Sequence, residues 1–419
     1  MTASRFPFSR RRTLGVSAAA VLAAATVATL PALADNSAEG GSGGPIEIML
    51  PEPTGRHDIG RVDLHLVDED RADPWDDEGR PREIMASVWY PAGHAPGAPR
   101  APYLSAGVAD YLDHDRATAA VGIDPGEVDF AGALSNARTG APVARGLDGA
   151  PVVLYSPGGG MSRAMGTTLV EELASNGYVV VTVDHTYQAP VQLPDRFEPP
   201  ARNPDFTQVV QERVGDIRFV LDRLEDAAED RVSDAAGRSL PRGLGAAMDL
   251  SRTGMFGHSA GGFATAEAML ADPRIGAGIN MDGDMSPDYA LETDERGTDR
   301  PFMLMSAGHN GDGDPHDIDH GLGWRGFMDR SIGWKRAPHL TEGEHIGYTD
   351  FQSVLPAIGR SLDLDEQAVA GAIGTVDPEH SLAAQRAYTS AFFDLHLRGR
   401  QTDLFDGPSP GHPGWEFPS

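Results

Sequence analysis

Thr253-Gly254-Met255-Phe256-Gly257-His258-Ser259-Ala260-Gly261-Gly262-Phe263-Ala264-Thr265-Ala266-Glu267-Ala268-Met269-Leu270 decides the reading of this chain. A short apolar run enters a very tight turn, and a run of helix formers leaves it. Between them stands Gly257-His258-Ser259-Ala260-Gly261, a Gly-x-Ser-x-Gly pattern. Glycines two residues either side of a serine let neighbouring backbone pass closely. The serine can then hold a strained conformation with its hydroxyl projecting from the end of a sheet. The pattern by itself is weak in a chain with 50 glycines, and Gly40-Gly41-Ser42-Gly43-Gly44 matches it too. The strand before it and the helix after it select the Ser259 copy, whereas the earlier one reads as linker.

Outward from this turn, short apolar runs alternate with helical patterns. Pro151 to Tyr155 and Tyr178 to Val183 read as strands buried on both faces, as parallel strands are. Ile275 to Met281, Pro301 to Met305 and Ala337 to Leu340 extend the series. Phe206, Val209, Val210, Ile217, Val220, Leu221 and Leu224 form one apolar helical stripe. Further helices are expected over 164–175, 260–271 and 382–397. Upstream, Arg61 to Val67 and Glu83 to Tyr90 alternate apolar and polar residues, as antiparallel strands do. The expected fold is therefore α/β, a mostly parallel central sheet with antiparallel N-terminal strands and flanking helices, in one domain over 53–419. Residues 91–150, rich in glycine, proline and alanine, give no clear pattern.

The full sequence has 419 residues and a formal net charge of −28. Its first 34 residues hold four arginines and no acid, so the remainder is more acidic still. Such a surface repels polyanions, which argues against nucleic-acid partners and anionic membrane surfaces. The absence of cysteine removes disulfides, thiolate metal sites and cysteine nucleophiles. The single lysine, Lys335, follows Trp334, so neither a phosphate-binding loop nor a Ser-x-x-Lys dyad is present. Arg10-Arg11-Arg12 followed by an alanine-rich apolar run ending in Ala32-Leu33-Ala34 reads as an export signal of twin-arginine type over 1–34. Residues 35–52 then form a flexible linker, and the expected location is extracellular with no stable membrane span.

A serine hydroxyl needs a base to take its proton, and the base needs an acid to hold its tautomer. Of the histidines after Ser259, His345 is best placed, in Glu342-Gly343-Glu344-His345 just beyond the last expected strand. His309 follows the preceding strand, and His316 and His320 lie in an acid-rich loop. Two loops compete for the acid: Asp282 with Asp284, and Asp312 with Asp314. An oxyanion site needs backbone N–H groups, for which Gly159, in Ser156-Pro157-Gly158-Gly159-Gly160-Met161, and Ala260 are the candidates. Gly160, Met161, His258 and Tyr187 are candidates for the pocket wall. Asn310-x-Asp312-x-Asp314 imitates a calcium loop, but Pro315 and Gly321 stand where glycine and glutamate are needed. No metal or cofactor is expected.

With these residues in place, the chain resembles the plasma-type platelet-activating-factor acetylhydrolase branch of the α/β hydrolases, whose bacterial members are secreted esterases and lipases. Val88-Trp89-Tyr90-Pro91 resembles its opening strands, Leu154 to Gly160 its oxyanion loop and Gly257 to Gly262 its nucleophile turn. Gly343-Glu344-His345 is similar to its histidine loop, and Ala391 to Gly399 to its closing helix. The chain departs from the family at Pro157 and in a polar insert around 311–330. The resemblance implies an α/β-hydrolase fold and a serine esterase acting on small-molecule or lipid esters, with the substrate as its partner and the protein a monomer. It also places the acid after the strand that follows the nucleophile helix, which is Asp282. A polyester or cutin depolymerase with the same residues, and a non-catalytic binding protein on the same fold, are the alternatives.

Overall fold

Val152 and Leu154 pack on one face of the central sheet while Val153 and Tyr155 pack on the other. This is what strand geometry requires of a continuous apolar run covered on both sides. The computed structural model describes residues 44–417, apart from 230, 232–233, 310–314 and 321. Its strands are β1 (Ile46–Met49), β2 (Asp58–Ala72), β3 (Pro81–Ala92), β4 (Arg100–Pro102), β5 (Val128–Thr139), β6 (Ala150–Ser156) and β7 (Val179–His185). The small pair β8 (Val191–Gln192) and β9 (Phe197–Glu198) follows, then β10 (Met248–His258), β11 (Ile275–Met281), β12 (Phe302–His309), β13 (Lys335–Arg336), β14 (His339–Glu344) and β15 (Trp415–Glu416).

The main sheet runs β1-β5-β2-β3-β7-β6-β10-β11-β12-β14-β15. From β7 to β14 neighbouring strands are parallel. β3 joins this block antiparallel to β7, and β2 is antiparallel to β3. The mixed α/β sheet expected from the sequence is thus the one observed. Helices Phe206–Ala228 and Ala260–Ala271 cover one face through Val210, Ile217, Leu221 and Phe263. Helices Thr167–Ser175 and Pro378–Arg398 cover the other through Val170, Leu173, Phe392 and Phe393. Each such side chain stabilises the fold by about 1.5–3 kcal/mol relative to exposure. The carboxyl ends of β6, β7, β10, β11 and β14 share one rim of the sheet, where ligands bind in open parallel sheets.

The export segment expected over 1–34 lies outside the described residues. Other expectations need correction. Residues 46–49, expected to lie within a flexible linker over 35–52, form a strand paired with β5. The unassigned 91–150 region holds β4, β5 and two helices, Ala106–Asp113 and Arg116–Ala120. β5 escaped because its pattern is inverted: Ser135 is buried while Leu134 is exposed. The last parallel strand starts two residues late, since Pro338 has no N–H to give a ladder. Among the described residues no helix is long and apolar enough to cross a membrane.

Candidate active site

Ser259 sits at the end of β10 with φ 55° and ψ −125°, a backbone conformation that side chains rarely adopt. Its N–H donates to the Met281 carbonyl (2.9 Å), which ties the turn to the end of β11. The flanking glycines are there for space. A Cβ on Gly261 would lie 1.9 Å from the Ser156 carbonyl oxygen, and one on Gly257 would lie 2.3 Å from Gly261. Ser259 therefore pays its local strain through tight packing on every side, as a strained functional turn must.

Asp282 follows directly after β11 and is buried, also at positive φ (56°). Its N–H donates to Met305, and one carboxylate oxygen, Oδ1, accepts the Ala307 N–H at 2.8 Å. The other, Oδ2, accepts from His345 Nδ1 at 2.6 Å and from His316 Nδ1 at 2.8 Å. Burial alone would raise this carboxyl's pKa, but the bonds from His316 and His345 hold it well below the usual carboxylate range. With Nδ1 donating, the Nε2 atom of His345 is the free basic nitrogen. These three side chains are the one grouping among the described residues whose ligand atoms, all within 4.8 Å of one another, approach the crowding of a cation site. Their direct contacts are hydrogen bonds, which accounts for the convergence.

The adjacent histidine, His258, is fully buried against the His345 ring, with centroids 4.5 Å apart. Its Nε2–H donates to the His345 carbonyl at 2.9 Å. Burial, with His345 next to it, lowers its pKa to about 3, so it is neutral and fixes the histidine loop.

The glycine loop after β6 is organised from behind. Buried Arg213, on the Phe206–Ala228 helix, donates to the Pro157 carbonyl, to the Gly158 carbonyl (3.2 Å), to Ser156 Oγ (3.1 Å) and to Gln188 Oε1 (2.8 Å). Burial pulls its pKa down to about 9 despite nearby Asp216. Gly158 lies against Ser259, since a Cβ there would be 3.4 Å from the serine Cβ. The Gly160 N–H is taken by the Gln188 carbonyl at 2.8 Å. Ala260 is the first residue of its helix, so its N–H has no intrahelical acceptor. Behind Arg213, Ser156 Oγ meets His185 Nε2 at 2.9 Å, and His185 Nδ1 meets Asp216 Oδ2 at 2.8 Å. Arg82 grips both oxygens of Asp216 at 3.1 and 2.7 Å. This second serine–histidine–aspartate chain is fully buried and reaches no solvent.

The structure brings Ser259, Ala260, Asp282 and His345 to one rim, with Gly159, Gly160 and Met161 in the adjacent loop. Asp312 and Asp314 lie outside the described residues. His258 is not a pocket wall: it is wholly enclosed between the turn and the histidine loop. The Tyr187 hydroxyl is engaged by Asp76 (3.0 Å) and Arg80 (3.2 Å) rather than facing an open pocket. Two residues escaped the sequence reading. Arg213 interrupts the buried stripe between Val210 and Val214, and a lone cation on an apolar face was the available signal. His316 gave none, because its partner is 34 residues earlier in the chain.

The family model for platelet-activating factor acetylhydrolase, isoform II, matches residues 87–192. A probable 1-alkyl-2-acetylglycerophosphocholine esterase of Arthroderma benhamiae is 28% identical over 395 residues, covering 88% of this chain and 93% of the relative. The solved structure of a ferulic acid esterase from Streptomyces cinnamoneus superposes with a TM-score of 0.71 at 34% identity, covering 89% of this chain and 99% of that one. The sheet, the rim and these likenesses agree on an ester-bond hydrolase. The chain belongs to the esterases of the α/β-hydrolase fold that resemble platelet-activating factor acetylhydrolase.

Proposed function

We propose that this esterase is an exported serine hydrolase of carboxylic esters in which Ser259 is the nucleophile, His345 the base and Asp282 the acid. One observation carries the reading: a strained serine at the strand-to-helix turn is bonded through its N–H to Met281, the residue before an aspartate that holds a histidine by Nδ1. His345 Nε2 takes the hydroxyl proton as Ser259 Oγ attacks the ester carbonyl. The N–H groups of Gly159 and Ala260 stabilise the oxyanion, each worth about 3 kcal/mol of barrier. His345 returns the proton to the departing alcohol, and water then cleaves the acyl-enzyme by the same route. Asp282 stabilises the imidazolium formed in each half.

The substrate class is a small-molecule or lipid ester with a short or aryl acyl group. The names of the two relatives, an acetyl-glycerophospholipid esterase and a ferulic acid esterase, support that range. The arginine-led apolar segment supports export of the folded protein. The test is hydrolysis of p-nitrophenyl esters from acetate to palmitate by the protein and by Ser259→Ala, with a phosphonate probe followed by peptide mass analysis. Activity lost in Ser259→Ala and an adduct on Ser259 are the expected results. An adduct elsewhere, or full activity in the variant, would overturn the reading.

A further inference from the structure

His316 bonds the carboxylate of Asp282, and the reaction scheme gives it no task. We propose that it is a positioning residue for Asp282, acting as a second donor that fixes the carboxylate and tempers its pull on His345; this rests on the assignment of Asp282 and His345 given above. Asp282 Oδ2 lies 2.6 Å from His345 Nδ1 and 2.8 Å from His316 Nδ1, while Oδ1 is held by Ala307. Three donors thus define the carboxylate plane, and two of them share one oxygen.

His316 is itself held firmly. Its backbone N–H donates to the Gly308 carbonyl at 3.0 Å, and its ring stands edge-on to Trp324 with centroids 5.9 Å apart. Trp324 is buried, and its indole N–H donates to the Gly283 carbonyl at 2.6 Å. The Met285 N–H donates to Leu322 at 2.9 Å. The polar insert is therefore stitched to the loop after β11 at residues 282, 283 and 285. It covers the acid and delivers a histidine to it.

The chemical consequence has a sign. A carboxylate that divides its charge between two donors stabilises a charged His345 less than one serving a single donor. Removing the His316 donor strengthens the pairing of Asp282 with protonated His345. The acidic limb of the rate profile then moves up. The same removal lets the carboxylate rotate about its remaining anchors, which lowers kcat. Among the described residues, the ionisable groups around His316 include Asp282 and Asp284 after β11 and His345 after β14, with His258 beyond His345. Asp317, next in the chain, is paired with His320 at 2.6 Å.

The experiment compares His316→Asn, His316→Gln and His316→Leu. Asparagine places an amide N–H where Nδ1 stood, glutamine places it where Nε2 stood, and leucine has no donor. Each is measured for kcat and KM on p-nitrophenyl acetate between pH 5 and 9, alongside thermal unfolding. His316→Gln and His316→Leu are expected to lose about tenfold in kcat with little change in KM. Their acidic limb should rise by about half a pH unit, and His316→Asn should restore both. Native kcat and an unmoved limb in His316→Leu or His316→Gln would overturn the proposal. So would equal losses in all three with an unmoved limb, which is the pattern of a packing role. An active Asp282→Asn would instead overturn the assignment of the acid. If that assignment holds, adding His316→Leu to Asp282→Asn should leave the limb where Asp282→Asn alone puts it.

Discussion

Ser259 and Asp282 both carry positive φ angles at adjoining strand ends, and each is held there by a backbone bond to the next strand. Rigidity of this kind makes single atoms matter. Asp282→Asn would keep the shape of the side chain yet present an amide to His345, favouring the wrong tautomer. A fall in kcat of roughly 10³–10⁴ with an intact fold is expected, measured on p-nitrophenyl acetate at pH 8. Gly261→Ala would instead strike the fold, because its Cβ would overlap the Ser156 carbonyl. A loss of soluble protein, or of several kcal/mol in urea unfolding, is the expected outcome. At this scale the sequence was most legible. The Gly-x-Ser-x-Gly turn marks itself by strand before and helix after, and His345 by its place beyond the last strand. The acid was ambiguous because an aspartate ends many loops in so acidic a chain, and chain order is no guide to which one meets His345.

The Phe206–Ala228 helix shows how an element can carry an apolar stripe and a functional charge together. Its stripe is readable from three-four spacing, but that spacing says nothing of Arg213 on the same buried face. Four acceptors surround that guanidinium, two of them carbonyls of the loop opposite Ser259. Arg213 holds the Pro157 and Gly158 carbonyls on its own side, and in the proposed mechanism the Gly159 N–H that follows them faces the substrate. Arg213→Lys keeps the charge but loses the planar fork, so it cannot reach both carbonyls together. The expected result is a drop in kcat of about 10²-fold with KM nearly unchanged, since an oxyanion donor acts in the transition state. A proportionate rise in KM alone would contradict this role. β5 was lost to sequence reading for a related reason. Small residues, Ala133 packed with Val354 and Leu355, Ala137 with the cluster around Leu169, and Ser135 between them, are the ones buried, and a binary hydrophobic pattern cannot register them.

Across the whole molecule the sequence conveyed the architecture, because alternating apolar strands and amphipathic helices admit few arrangements. It did not convey the buried polar line behind the rim, whose members come from β3, β6, β7 and the Phe206–Ala228 helix. That line couples stability to pH. Burial, reinforced by Arg213, lowers the pKa of His185 to about 4, against an ordinary value of 6.5. The folded protein keeps His185 neutral while the unfolded chain protonates it, so between pH 6.5 and 4 the unfolded state binds more protons. Stability is therefore full above pH 6.5 and is lost as pH falls through this window. The loss from this one group between pH 7.5 and 5 amounts to roughly 2 kcal/mol. Buried Glu171 has its pKa raised to about 7, mainly by burial, and works in the opposite sense, losing stability as pH rises from 4.5 to 7. Comparing variants cancels it. Urea unfolding at pH 7.5 and pH 5 should show the native protein losing more stability than His185→Asn by about that amount, although the variant is the less stable at pH 7.5. Equal losses in the two proteins would mean that His185 is charged in the fold, bound as an ion pair to Asp216 rather than as a neutral link to Ser156.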